Sequence, residues 1–307
     1  MEKSSHGIAH IKNYLHLHLL VLIAGFTAIL GELISVKAIS LVWFRMSMAL
    51  ILIGFYILIS RKKVKVNFKT FILLSIAGII IALHWITFFE AIDVSNVSIT
   101  LAMFSTGAFF ASIIEPIVFK RKVIGYEMVF GIIVIIGVFI VTQSEIKYLT
   151  GIILGIVSAF LSSLFAVFNG KFLEKNTPTT ISFYEFISGV FFVSVYIFIF
   201  GEGFDKEFFN LSSLDFIYLF ILASICTAYA FIASVHVMKY ISPYSVVLAY
   251  NLEPVYGIIL AIILFPNEEK MSPNFYLGAV IIFSAVVLNG IFKNKKHITS
   301  RIQKKKI

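Results

Sequence analysis

The sequence predicts an all-α membrane protein of ten transmembrane helices in two inverted five-helix repeats. Three observations carry this: the composition, apolar runs that recur at about one bilayer length, and a faint likeness between the two halves at a constant offset. Of 307 residues, 60% are hydrophobic and 13% charged, against about 45–50% and about 25% in ordinary soluble chains. A mean hydropathy of +0.99 is more apolar surface than a soluble domain of this size can hide. The 33 Phe suit lipid contact and helix packing.

A helix needs about 20 apolar residues to cross a bilayer. The runs place spans at 15–33, 38–59, 68–90, 97–119, 124–142, 149–169, 180–200, 214–237, 243–265 and 273–292. Strand-type alternation, the mark of a β-barrel, is absent. The first run follows polar residues and no small-residue cleavage site follows it, so it reads as a retained helix. The lone Cys226 excludes an intramolecular disulfide framework and reads as a packing residue.

Orientation follows from Lys and Arg. With both termini cytoplasmic, 20 of the 25 basic residues fall in inner segments. They cluster at Arg61–Lys69, at Lys120–Lys122 and in the tail from Lys293. Outer loops hold only Lys37, Lys147, Lys206 and Lys270, and Arg45 alone lies within a span. That asymmetry is the positive-inside pattern and supports an even number of spans. The net charge of +9 therefore reads as orientation signal, not nucleic-acid affinity. The basic tail suits anionic lipid, or alternatively a docking partner. His6, His10, His16 and His18 invite a metal, but no carboxylate or Cys cluster joins them, so neither metal nor cofactor is expected.

The repeat appears when Val94–Ser98 is set against Ile241–Ser245, an offset of 147. At that offset Leu101 meets Leu248, Ala102 meets Ala249 and Gly131 meets Gly278. The halves divide near Thr142–Leu149, giving a first repeat over 10–147, a second over 148–294 and a basic tail over 295–307. Five spans per repeat is odd, so the second must enter the membrane inverted. This is a plan of secondary transporters, with the substrate site near the midplane between repeats.

Several segments carry a family resemblance: Trp43-Phe44-Arg45; the run from His84 to Pro116; the run from Tyr240 to Phe265; then Glu268-Glu269 and Leu277-Gly278-Ala279. Across nearly the whole chain the sequence resembles the EamA family of the drug/metabolite transporter superfamily. The resemblance implies a central cavity lined by the third, fourth, eighth and ninth helices, with the first, second, sixth and seventh contributing. It also implies export or exchange of amino acids, metabolites or drug-like compounds. One departure stands out: Thr106-Gly107 occupies the register of Glu253-Pro254, while the first half carries its Glu115-Pro116 further along.

Charged groups deep in a bilayer cost about 2.5–3.5 kcal/mol on insertion scales and usually face a cavity or a partner. Glu253 is the leading candidate, with Asn251 and Tyr250 beside it. It lies ten residues past Pro243, about 15 Å at 1.5 Å per residue. Its plainer reading is a carboxylate paired with another helix. Pro254 frees a carbonyl one turn earlier, and a kinked helix with a carboxylate suits cation or proton handling. Glu115, Glu185 and Arg45 are further candidates, Arg45 with the alternative of an outer ion pair to Glu90. His84 is a candidate relay and Trp85 a stacking face, against plain packing for both. Ser105, Thr106, Tyr229 and Asn169 are weaker candidates, since hydroxyls and amides often simply join helices. Gly151 and Gly155 read as a close-packing pair.

These features favour a secondary transporter of small metabolites such as amino acids, exporter or exchanger, working by alternating access. Its partners would be the small-molecule substrate, the lipid bilayer and a proton or other coupling ion, as a monomer or homodimer in a bacterial inner membrane. The alternatives are a membrane-embedded enzyme acting on lipid or peptide, and a channel. No P-loop, H-E-x-x-H or G-x-S-x-G pattern is present, which counts against nucleotide drive and against the common embedded hydrolases.

Overall fold

The computed structural model describes residues 2–120, 122, 124–201, 203–237, 240, 249–250 and 252–304. All regular elements among them are helical. Among the described residues, nine helical segments are long and apolar enough to span a membrane, and Glu253–Leu264 is a shorter apolar helix on the ninth run. The chain is an all-α membrane protein of ten spans in two inverted repeats.

The spans are Glu2–Leu33, Ala38–Ile59, Phe68–Val94, a fourth in two pieces (Val97–Phe104 and Gly107–Phe119), Gly125–Ser144, Leu149–Phe172, Pro178–Phe200, Ser213–Val237, Glu253–Leu264 and Pro273–Lys304. The second matches its apolar run at both ends, because polar chain begins on each side. The third runs past the predicted 90 to Val94, since Glu90 and Asp93 continue the helix. Two features were invisible in the hydropathy. The fourth span breaks at Ser105–Thr106, whose hydroxyls bond back to the carbonyls of Leu101 and Met103. The eighth carries a π turn over Ser224–Tyr229, where a locally wider coil re-aims its side chains.

Glu253 was expected ten residues inside a helix. The described part of the ninth run has a helix that begins at Glu253, with Pro254 in its first turn, where a missing N–H costs nothing. Most of the stretch before it, including Asn251 and Pro243, lies outside the described residues.

Helices of one half pack largely on the other. The fifth span lies along the tenth and the fourth against the ninth, the pairs that the offset of 147 makes equivalent. Fifth and tenth meet backbone to backbone: a Cβ on Gly278 would stand 2.9 Å from the Gly137 carbonyl oxygen, and one on Gly137 3.0 Å from that of Gly278. Gly151 and Gly155 pack the sixth span closely on Ser95 and Met103, as their spacing suggested. The main core gathers Leu41, Met46, Ile81, Phe89, Phe186 and Leu222 from spans two, three, seven and eight.

On the face holding few basic residues, three carboxylates tie one repeat to the other. Glu269 accepts the backbone N–H groups of Val97 and Ser98, each at 2.9 Å. Glu145 accepts the Ser272 N–H at 2.9 Å. Asp215 accepts the Ser35 N–H at 2.7 Å and hydroxyl at 2.8 Å. All three are buried. Helix N-termini leave backbone donors unpaired, and these carboxylates supply acceptors where loops from both halves converge.

Candidate functional site

Arg45 is an ionisable group inside a span. It lies two turns into the second span and is 3% exposed. Its Nε donates to Thr227 Oγ1 at 2.9 Å. Thr227 in turn donates to the Leu222 carbonyl, five residues back, a bond that only the π turn permits. The guanidinium lies over Trp85, 3.9 Å from the ring centroid, and 5.7 Å from that of Phe89. Its Nη1 is buried with no hydrogen-bond partner. The expected alternative, an ion pair with Glu90, is not formed. Arg45 points into the bundle toward Thr227 because Trp85 and Phe89, on the inward stripe of the third span, offer it flat faces.

Glu253 of the ninth span lies within electrostatic reach of this group. The two charges act on each other, with no direct ion pair between them. The ninth span is held against the first by close backbone approach: a Cβ on Gly25 would stand 3.0 Å from both the Glu253 carbonyl oxygen and the Gly257 nitrogen. Cys226 of the π turn also lies within the field of Arg45. The second, third, eighth and ninth spans thus meet in one aromatic-walled cluster holding one cation and one carboxylate.

His84 adjoins this cluster on another face of the third span. Its Nδ1 lies 2.8 Å from Ser158 Oγ and 3.1 Å from Ser158 O, while Ser158 Oγ donates to the His84 carbonyl at 3.1 Å. Its ring stacks on Phe104 with centroids 5.5 Å apart. The arrangement clamps the third span to the fourth and sixth.

The remaining candidates make their described contacts elsewhere. Ser105 and Thr106 bond within their own span at its break. Glu115 is half-buried in the second piece of the fourth span. Tyr250 shares a 2.6 Å hydrogen bond with Ser234. Tyr229 bonds His16 Nε2 at 2.9 Å, and Tyr256 bonds His18 Nδ1 at 3.1 Å, so two N-terminal histidines join the first span to the eighth and ninth. Glu185 is fully buried, with Asn169 Nδ2 donating to its Oε2 at 3.5 Å. Asn251 lies outside the described residues. Sequence reasoning missed Thr227, Phe89 and Ser158. Nothing distinguishes them from other Thr, Phe and Ser in apolar runs, and a π turn leaves no hydropathy signature.

An apolar groove lined by Phe44, Met48, Phe209, Leu211 and Phe216 opens on the other side of the second span. It has no convergent charged group, so we place the candidate site at Arg45 and Glu253.

Comparison with known proteins agrees with this architecture. The model of the EamA-like transporter family matches residues 12–143 and again 149–291. No curated protein matches the chain. Among solved structures, one described only as the crystal structure of a protein is similar over 91% of this chain and 97% of its own, with a TM-score of 0.61 and 11% identity; at that identity the likeness is one of fold. Two matched copies of the family model, together covering nearly all of the membrane-spanning chain, establish that this protein belongs to the EamA-like transporter family.

Proposed function

We propose that this transporter carries small zwitterionic metabolites, amino acids foremost, by alternating access, as an exporter or exchanger. The observation that carries the reading is the Arg45 guanidinium, buried with Nη1 unpartnered. A buried charged donor without a partner is costly, about 1–3 kcal/mol or more, and a bound carboxylate would remove that cost. Glu253, across the cluster, offers the matching acceptor for an amine. An amino acid brings one group of each sign, so its binding leaves the net charge of the site unchanged. Trp85 and Phe89 supply the apolar wall.

The three inter-repeat carboxylates close the face that holds few basic residues. Twenty of the 25 Lys and Arg lie on the other side, which supports both termini in the cytoplasm and, for a chain of this build, a bacterial inner membrane. The site in this conformation is then barred from the outside.

Counterflow in proteoliposomes loaded with mixed amino acids tests the reading, comparing the native protein with Glu253→Gln. Saturable exchange that collapses in the variant is the expected result. Exchange unaffected by the substitution removes Glu253 from the site. Conduction without exchange makes the protein a channel. No exchange with any amino acid refutes this substrate class.

A further inference from the structure

Glu185, buried, and Asn169, partly buried, form a second polar pair that the Arg45 cluster does not use. Glu185 lies two turns into the seventh span, fully buried, and Asn169 lies near the end of the sixth. The groups packed on this stretch of the seventh span are apolar or neutral. The Gly78 backbone abuts that of Glu185, Ser75 bonds Ser188 at 2.9 Å, Met46 lies against Gly189, and Phe231 lies against Phe186. None of these is titratable, and Asn169 is the polar group that meets the carboxyl. Asn169 Nδ2 donates to Glu185 Oε2. That leaves two buried oxygens with no partner, Glu185 Oε1 and Asn169 Oδ1.

Both orphans are acceptors in the ionised form, so no bond can join them. One hydrogen changes this. A proton on Glu185 Oε1 turns it into a donor, and Asn169 Oδ1 is the acceptor left over. Acid and primary amide then pair head to head through two reciprocal bonds, N–H to Oε2 and O–H to Oδ1. A sodium ion fits less well, because it needs more oxygens than these three.

We infer that Glu185 and Asn169 are a proton-binding site, and that this proton is the coupling ion of the transport cycle. The second clause rests on the transporter reading of the preceding section; the first does not. A glutamine at 185 would make the same paired bonds with Asn169 without any need for neutralisation, so a carboxyl adds something only if its proton leaves. Loading takes one proton from water on one side and brings Glu185 from a charge of −1 to zero. Release returns that proton to water on the other side once the sixth and seventh spans part. Nothing else changes in charge.

Difference infrared spectroscopy of the full chain in liposomes tests the first clause without any substrate. The native protein at neutral pH is expected to show a hydrogen-bonded protonated-carboxyl band that Glu185→Gln loses and Asn169→Ala shifts to higher frequency. A band identical in the native protein and Glu185→Gln overturns the site. If Glu185→Gln does not fold, Glu185→Asp and Asn169→Ala serve, and a band unmoved in both overturns it equally. For the second clause, uptake of mixed amino acids driven by an imposed pH gradient should be lost in Glu185→Gln. Gradient-driven uptake equal to native overturns the coupling role. A native protein that takes up no amino acid defeats the transport reading, and with it the coupling role, while the infrared result still decides the proton site.

Discussion

Removing the Glu269 carboxylate should open the laced face of the protein. Glu269 is 2% exposed and accepts two backbone N–H groups at 2.9 Å from the first turn of the fourth span. Hydrogen bonds to a charged partner contribute about 1.5–3 kcal/mol each, and a buried donor left unmade costs about 1–3 kcal/mol. Water entering at the loop recovers part of this. A net loss of about 3 kcal/mol in Glu269→Ala is reasonable, roughly a hundredfold in the equilibrium between closed and open faces at 1.4 kcal/mol per decade. Hydrogen exchange in nanodiscs reads this directly. Val97 and Ser98 should lose about two decades of protection, while Ile99, whose N–H goes to Asn96 Oδ1 at 2.9 Å, should lose less. Glu268→Ala is the control, because the side chain of Glu268 is exposed and only its backbone carbonyl is engaged, by Asn96. Equal protection in Glu269→Ala and the control would refute the reasoning.

Arg45→Lys keeps the charge but loses the Nε bond to Thr227 and the flat stack on Trp85. The half-saturation concentration for counterflow should rise roughly ten- to a hundredfold, from the loss of about 1.5–3 kcal/mol; an unchanged value would remove Arg45 from substrate binding. Two glycine substitutions should part in sign. Gly78→Ala would drive a methyl into the Glu185 carbonyl, with Glu185 Cα 3.0 Å away, and overpacking of this kind costs about 1–3 kcal/mol. Gly54→Ala meets nothing within 4 Å and should gain up to about 1 kcal/mol of helix propensity. Thermal unfolding in detergent checks both, and a Gly78→Ala protein as stable as Gly54→Ala would overturn the close packing of the third and seventh spans.

The spans and their pairing were legible because hydropathy reports which segments enter lipid, and a constant offset reports which are equivalent. The ends of the second span fell where polar residues begin. Arg45, Trp85 and Glu253 were legible as residues too polar or too functional for an apolar run. Their assembly was not. The sequence suggested Glu90 as the partner of Arg45 because both lie near the same membrane face. The structure turns Arg45 inward instead, onto Thr227, through a π turn that depends on backbone geometry and not on composition. The break at Ser105–Thr106 was hidden for a related reason: both residues occur freely in helices, and their bonds to Leu101 and Met103 are local.

That break bears on how the two halves divide the work. Thr106-Gly107 and Glu253-Pro254 stand in register at the offset of 147, and in both places a described helix starts anew, at Gly107 and at Glu253. The first repeat is thus broken at midspan, a feature from which transporter sites are built, and the second begins its described helix at the equivalent position with different chemistry. In the first half the break is satisfied by neutral groups. Thr106 bonds its own span, and Ser163 of the sixth span donates to the Gly107 carbonyl at 2.7 Å. In the second half a carboxylate stands at the same position, within electrostatic reach of Arg45. Under the proposed alternating access, inverted repeats make the two halves interchangeable in shape, so that each can take the other's place. The chemistry need not follow that symmetry. A single substrate bound at the proposed site would meet the halves unequally, so a carboxylate on one side would suffice.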